Sequence, residues 1–235
     1  MPPPSFAIVG REQPPATTNG ETRVSRIVVF GAGGRAGRRA VAEAASRGHQ
    51  VTAVVRDPAR HAHLHRENVT VVAGDVTDPA SVAAVAEGHD AAVQTAYRPD
   101  VPAAEFFPAA AHALLTGLAR AGVGRLVLVG IGTQLEVSPG VLVLDTPDVS
   151  EEVRAFSLSH VAELEVLRAA DTDVDWLVLA PPPVVLDDEA ERTGEYRIGG
   201  TAVIPTDSFS YADLAVALVD EIESPKHHRA LVAVA

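Results

Sequence analysis

The residues with the clearest chemical meaning in this 235-residue chain form the cluster Gly31-Ala32-Gly33-Gly34-Arg35-Ala36-Gly37. It lies between the apolar run Arg26-Ile27-Val28-Val29-Phe30 and the alanine-rich stretch Arg38 to Arg47. A strand that turns sharply into a helix needs glycine there. A backbone without Cβ atoms can also approach a pyrophosphate at the helix N-terminus. The spacing Gly31-x-Gly33-x-x-x-Gly37 is one residue longer than the Gly-x-Gly-x-x-Gly pattern, and Gly34 adds a permissive position. Gly31, Gly33, Gly34, Arg35, Ala36 and Gly37 are expected to cradle a dinucleotide, with Gly37 letting the helix pack closely on the strand. A tight turn without a ligand is the alternative.

The second apolar run, Val51 to Val55, ends in Arg56, with Asp57 and Arg60 beyond it. Sites for an unphosphorylated ribose commonly place an acid in this region, whereas a guanidinium suits a 2'-phosphate through charged, bidentate hydrogen bonds. Arg35 and Arg38 are expected on the same side of the turn. NADP(H) is therefore expected over NAD(H), a surface pair between Arg56 and an acid being the bland reading. After the third run, Val69 to Val72, comes Gly74-Asp75-Val76-Thr77-Asp78. Asp75 is expected to accept from the adenine amino group, Val76 to pack on the ring and Asp78 to cap the helix that Pro79 opens. Thr95, Ala96, Val129, Gly130 and Pro181 complete the expected cofactor-binding set.

Two residues are candidates for catalysis. Tyr97 follows the fourth run at the nicotinamide end, where its ring can stack or its hydroxyl donate. His160 can deliver a proton or touch the nicotinamide ribose, or it is a helix histidine facing solvent. His61, His63 and His65 alternate, but nothing nearby completes a metal site and cysteine is absent. They read as a solvent-facing cluster, as do His227 and His228, and no metal is expected. Trp176 reads as core.

These side chains need elements to hold them. Helices are expected over Ser81–Glu87, Ala103–Ala121, Ser159–Ala170 and Tyr211–Ile222, the last with Ser210 and Asp213 as a capping box. Further strands are expected at Ala91–Val93, Leu126–Val129 and Asp175–Leu179, with Ala230–Val234 as a last edge strand. The alternation implies βαβ units. The expected fold is therefore α/β, a Rossmann-like doubly wound and mostly parallel sheet with helices on both faces and a small C-terminal substrate-side region. Residues 1–22, rich in Pro, Thr and Gly, read as a flexible tail. In the alternative, Phe6 to Val9 pair with a sheet edge or a partner subunit. Residues 23–235 read as one domain, with substrate-side loops at about 130–157 and 180–210.

Composition narrows the partners. Nineteen Lys and Arg against 31 Asp and Glu give a net charge of -12, which argues against nucleic acid. No run approaches the roughly 20 apolar residues of a membrane span. The opening Met1-Pro2-Pro3-Pro4 lacks the features of a secretory signal. Without cysteine, thiol chemistry is excluded and a cytoplasmic setting is expected.

Together, Gly31 to Gly37, Val55-Arg56-Asp57-Pro58, Gly74 to Asp78, Asp175-Trp176 to Pro182 and Ser210-Tyr211-Ala212-Asp213-Leu214-Ala215 carry a family likeness. Over residues 25–235 the chain resembles the atypical short-chain dehydrogenases/reductases, especially the NmrA-like, flavin-reductase-like and biliverdin-reductase-B-like members. The resemblance implies an NAD(P)-binding protein. It also exposes a departure from the Ser and Tyr-x-x-x-Lys set of classical members. Gly130 falls at the Ser place, Phe156 near the Tyr and His160 near the Lys, with Thr133, Ser157 and Ser159 as the nearby hydroxyls. The expected activity is NADPH-dependent hydride transfer to a flavin, quinone or similar conjugated acceptor, which draws mainly on positioning. The alternatives are a non-catalytic NADP(H)-binding redox sensor and an epimerase- or dehydratase-like enzyme. The expected partner is a small conjugated molecule, and a homodimer or a regulatory protein partner is left open.

Overall fold

The computed structural model describes residues 7–9 and 24–235. The expected tail over residues 1–22 lies outside the described residues except for Ala7–Val9 (β1), which pairs antiparallel with Tyr196–Gly199 (β10). The central strand is Arg26–Phe30 (β2). Its side chains alternate, so that Ile27 and Val29 enter one apolar core while Val28 and Phe30 enter the other. A strand buried on both faces in this way belongs in the middle of a parallel sheet.

The chain then builds outward on one side through Gln50–Val55 (β3) and Val69–Ala73 (β4). It crosses to the other side through Ala91–Gln94 (β5), Arg125–Val129 (β6), Asp175–Ala180 (β9) and Ala230–Val234 (β11). All pairings from β4 to β11 are parallel, and β10 and β1 close the far edge antiparallel. A small hairpin, Glu136–Ser138 (β7) with Val141–Leu142 (β8), stands apart from this sheet. The helices Arg35–Ser46 (α1) and Tyr211–Glu223 (α5) pack together on one face. Pro79–Ala86 (α2), Ala103–Ala121 (α3) and Glu151–Ala169 (α4) pack in series on the other. This is the expected α/β Rossmann-like, doubly wound fold. The strand order reverses between β2 and β5, and ligands bind at the carboxyl ends of strands at such a switch point.

Several boundaries differ from the sequence expectation for local physical reasons. Helix α1 begins at Arg35 rather than Arg38, because the glycines that make the turn also open the helix. Helix α4 begins at Glu151 rather than Ser159. Ser150 caps it by accepting from the Val153 amide, and Glu151 and Glu152 complement the helix dipole. Strand β11 is not an edge strand, since β9 and β10 flank it. The capping box at α5 is half built. The Ser210 hydroxyl oxygen accepts from the Asp213 amide at 2.8 Å, but the Asp213 carboxylate accepts from the Thr193 and Gly194 amides at 2.9 and 2.8 Å. Asp213 thus fastens the segment before β10 onto α5. Trp176, 3% exposed, is core as expected.

Candidate nucleotide-binding site

The turn after β2 is built from backbone contacts that side chains would break. Gly31 adopts φ +76°, and a Cβ there would stand 2.5 Å from the Cα and N of Ala96. A Cβ on Gly37 would stand 2.1 Å from the Gly31 carbonyl oxygen. The Gly34 amide donates to that same oxygen at 2.9 Å, which closes the turn. Gly34 is the N-cap of α1 and supplies no side-chain acceptor, so the first-turn amides carry no cap of their own. An uncapped helix N-terminus reached through bare backbone is the arrangement that accepts a phosphate. The residues present therefore fit a dinucleotide.

A cavity of about 250 Å³ opens over this turn. Gly31, Gly33, Gly34 and Arg56 line it from the β2 and β3 ends. Asp75 and Val76 line it from β4, and Thr95, Ala96 and Tyr97 from β5. The Thr95 hydroxyl donates to the Phe30 carbonyl at 2.8 Å and holds the two strand ends together. Asp75 accepts from the amide and hydroxyl of Thr77 at 2.9 and 2.6 Å. Burial pushes the Asp75 carboxyl up. The Thr77 hydrogen bonds and the charges of Arg98 and Arg56 outweigh it and hold the group below the usual carboxylate range. Asp78 caps α2 by accepting from the Ala80 amide at 3.0 Å.

The remaining residues of the expected set stand away from the cavity wall. Gly37 packs beneath the turn, and Ala36 belongs to the first turn of α1. The Arg35 guanidinium lies over the Tyr211 ring, 5.3 Å from its centroid. Arg38, expected on the same side of the turn as Arg35, pairs with Asp188, as does Arg39. Val129 ends β6, and the Gly130 amide donates to the Leu179 carbonyl at 2.8 Å. The Pro181 carbonyl crowds Gly132, where a Cβ would approach it to 2.5 Å.

At the rim, Arg56 reaches Asp100 at 3.3 Å, both side chains being more than half exposed. Arg98 holds Asp100 at 2.8 Å and approaches Asp75 to 4.0 Å. The Arg98 hydrogen bond brings the Asp100 carboxyl down to about 2. Arg98 is a cavity residue the sequence reading passed over; its signal was a charged loop, Arg98-Pro99-Asp100, directly after a strand end.

Tyr97 forms an aromatic platform. Its ring is parallel to Phe107, with centroids 5.5 Å apart, and meets Phe106 and Phe156 edge-on. His160 is buried behind it rather than solvent-facing. The imidazole Nδ1 bonds Glu163 at 3.0 Å, and the ring lies 3.9 Å from Phe107. The hydroxyls near the absent Ser–Tyr–Lys places are engaged internally: Thr133 donates to Ser157 at 2.7 Å, and Ser157 donates to the Val153 carbonyl.

Two histidines correct the solvent-facing reading. His227, partly buried, pairs with Glu221 at 2.7 Å, and the His61 ring turns inward against Gly33 and lines the cavity. His228 pairs with Asp175 at 2.7 Å but stays exposed. His63 and His65 are exposed. Among the described residues no group of three or more His, Asp or Glu side chains is placed to hold a metal ion. None of the described helices is long and apolar enough to cross a membrane.

The switch-point cavity and glycine turn define a Rossmann-type dinucleotide-binding protein. The chain belongs to the NAD(P)H-binding family, which matches it over residues 31–225. Solved structures similar to it include a protein from Burkholderia pseudomallei provisionally described as exported. That protein is 38% identical with a TM-score of 0.79, over 90% of this chain and all of the other. Another, from Bacteroides thetaiotaomicron and provisionally named an epimerase, is 30% identical with a TM-score of 0.80, over 90% of this chain and 97% of its own. A third, from Streptococcus pneumoniae and provisionally named an NADH-flavin reductase, is 26% identical with a TM-score of 0.74, over 89% and 98%.

Proposed function

We propose that this chain is an NADPH-dependent reductase that passes hydride to a flavin, quinone or similar flat conjugated acceptor. The observation that carries the reading is a single cavity that joins the glycine turn and Arg56 to the half-exposed ring of Tyr97. Bound NADPH would supply the hydride, and the acceptor would take it together with a proton from solvent. The protein's part is to hold two planar partners in register, and Tyr97, braced by Phe107, offers a face for stacking. Arg56 is the side chain assigned to the 2'-phosphate, which favours NADPH over NADH. Asp75 and Val76 are assigned to the adenine. The flavin-reductase name of the Streptococcus relative supports the acceptor class. A chain without cysteine suits the reducing cytoplasm.

A second reading, an NADP(H)-binding redox sensor, is favoured by one observation. His160, Thr133 and Ser157 are all buried and bonded to protein partners. Calorimetric titration with NADPH and NADH, on the native chain and on Arg56→Ala, tests the cofactor assignment. The variant is expected to lose about 1 to 3 kcal/mol toward NADPH and little toward NADH. Equal losses for both nucleotides remove Arg56 from the 2'-phosphate. Tight NADPH binding without turnover on any flavin or quinone leaves the sensor.

A further inference from the structure

The segment Pro58–Leu64 that follows β3 is a 3-10 helix held at both ends. Asp57 opens it by accepting from the Ala59 amide at 3.1 Å, and Leu64, 1% exposed, anchors it in the core. Between these anchors the backbone kinks at His61, with φ -120° and ψ 23°. The kink carries the imidazole over the glycine turn. Its Cε1, Nδ1 and Nε2 lie 2.3, 2.7 and 2.7 Å from the point where a Cβ on Gly33 would stand. Gly33 therefore lacks a side chain where the His61 ring sits.

The His61 Nδ1 is buried and has no hydrogen-bond partner. A buried polar nitrogen left unsatisfied costs free energy, and such a group calls for an explanation. The neighbouring charges do not supply one. His63 stands ring to ring at 5.8 Å, and Asp57 is engaged with Arg60 at 3.3 Å. Across the cavity Asp75 accepts from Thr77 through Oδ1 and Arg56 and Arg98 are donors, and none of the three is hydrogen-bonded to the His61 Nδ1. With the ring proton on Nδ1, what the site lacks is an acceptor. The surroundings, two guanidinium groups and an uncapped helix N-terminus, suit an anionic one.

We propose that His61 is a phosphate-binding side chain of this site, donating a ring N–H to a phosphate oxygen of the dinucleotide seated over Gly33. The proposal rests on the NADP(H)-binding reading and adds to it a ligand contact from outside the glycine turn and the arginines. It also gives Gly33 a second role, since the bare position makes room for the imidazole as well as for the nucleotide.

Calorimetry on the full chain tests this with NADP+, NAD+ and adenosine 2'-monophosphate as probes, using His61→Leu and His61→Gln. Replacement by leucine keeps bulk but removes the donor, and is expected to raise the Kd for NADP+ about tenfold or more. Glutamine, which keeps a donor, is expected to recover part of that loss. An equal loss toward NAD+ places the contact on the pyrophosphate. A loss confined to NADP+ and adenosine 2'-monophosphate places it on the 2'-phosphate. Unchanged or tighter NADP+ binding by His61→Leu, with an unaltered melting temperature of the free protein, overturns the proposal. If the native chain binds none of the three probes, the NADP(H) reading itself fails, an outcome distinct from the variant's behaviour.

Discussion

The rings of Tyr97 and Phe107 lie parallel to within 1°, yet Tyr97 keeps 44% of its surface exposed at the mouth of the cavity. One face is used in the stack, Phe106 and Phe156 meet the ring edge-on, and the exposed part lines the cavity. Stacked aromatic pairs contribute about 0.5 to 1.5 kcal/mol beyond area burial. Tyr97→Ala is therefore expected to raise KM for a flat acceptor by roughly two- to tenfold. Tyr97→Phe keeps the ring, and its kcat is expected to stay within about tenfold of the native value, below the loss typical of a general acid. Steady-state kinetics of both variants decides between a platform and a proton donor.

His160 is expected to behave as a structural residue. It is 6% exposed and bonded to Glu163, which is 3% exposed. His160→Ala leaves that carboxylate without its partner and is expected to cost about 1 to 3 kcal/mol of stability. Its kcat is expected to fall less than about tenfold, because a dedicated general acid contributes on the order of 10² to 10⁴. Urea unfolding and kcat between pH 5 and 9 are the two measurements. A hundredfold loss of kcat with NADPH affinity unchanged contradicts the assignment.

For the glycine turn, Gly37→Ala is the sharpest substitution. Its Cβ would meet the Gly31 carbonyl oxygen at 2.1 Å, and because that oxygen is backbone, relief requires moving α1 or the turn itself. Overpacking of this kind costs about 1 to 3 kcal/mol. The variant is expected to melt earlier and to bind NADPH more weakly, read by calorimetry and thermal unfolding together.

These cases separate what local sequence carries from what tertiary structure adds. The glycine turn is legible because the requirement for bare backbone is local, and the end of α3 at Ala121 is legible because Gly122 stops it in a left-handed conformation, φ +72°. The start of α4 is not legible because Val153, Ala155 and Leu158, apolar residues of its first two turns, are exposed and mark no buried stripe. The interior place of β11 depends on strand order, which no short window encodes. The inward place of His61 is not legible in the sequence, because alternating histidines resemble a surface pattern and the kink in the 3-10 segment is a tertiary feature.

Glu43 on α1 links acid stability to the fastening of the loop before β10. It accepts from Arg192 at 2.7 and 2.9 Å and from Arg47 at 2.8 Å. Burial pushes this carboxyl up, but the arginine hydrogen bonds outweigh it and hold it below the usual range. A depressed folded value means that the stabilisation is complete above the unfolded carboxylate pKa of about 4.3 and is lost as pH falls through the folded value. Glu43→Gln is expected to be about 1 to 3 kcal/mol less stable at neutral pH. Urea titrations should show that gap constant down to about pH 5 and closing below about pH 4.

The most direct test of the account compares acceptors in one assay of NADPH consumption by the native protein. A flavin and a quinone are set against a simple aliphatic ketone, whose reduction needs a dedicated proton donor. The account predicts turnover with the conjugated acceptors, faster with NADPH than with NADH, and none above background with the ketone. Reduction of the ketone at a comparable rate, or failure of every acceptor despite tight NADPH binding, would contradict it.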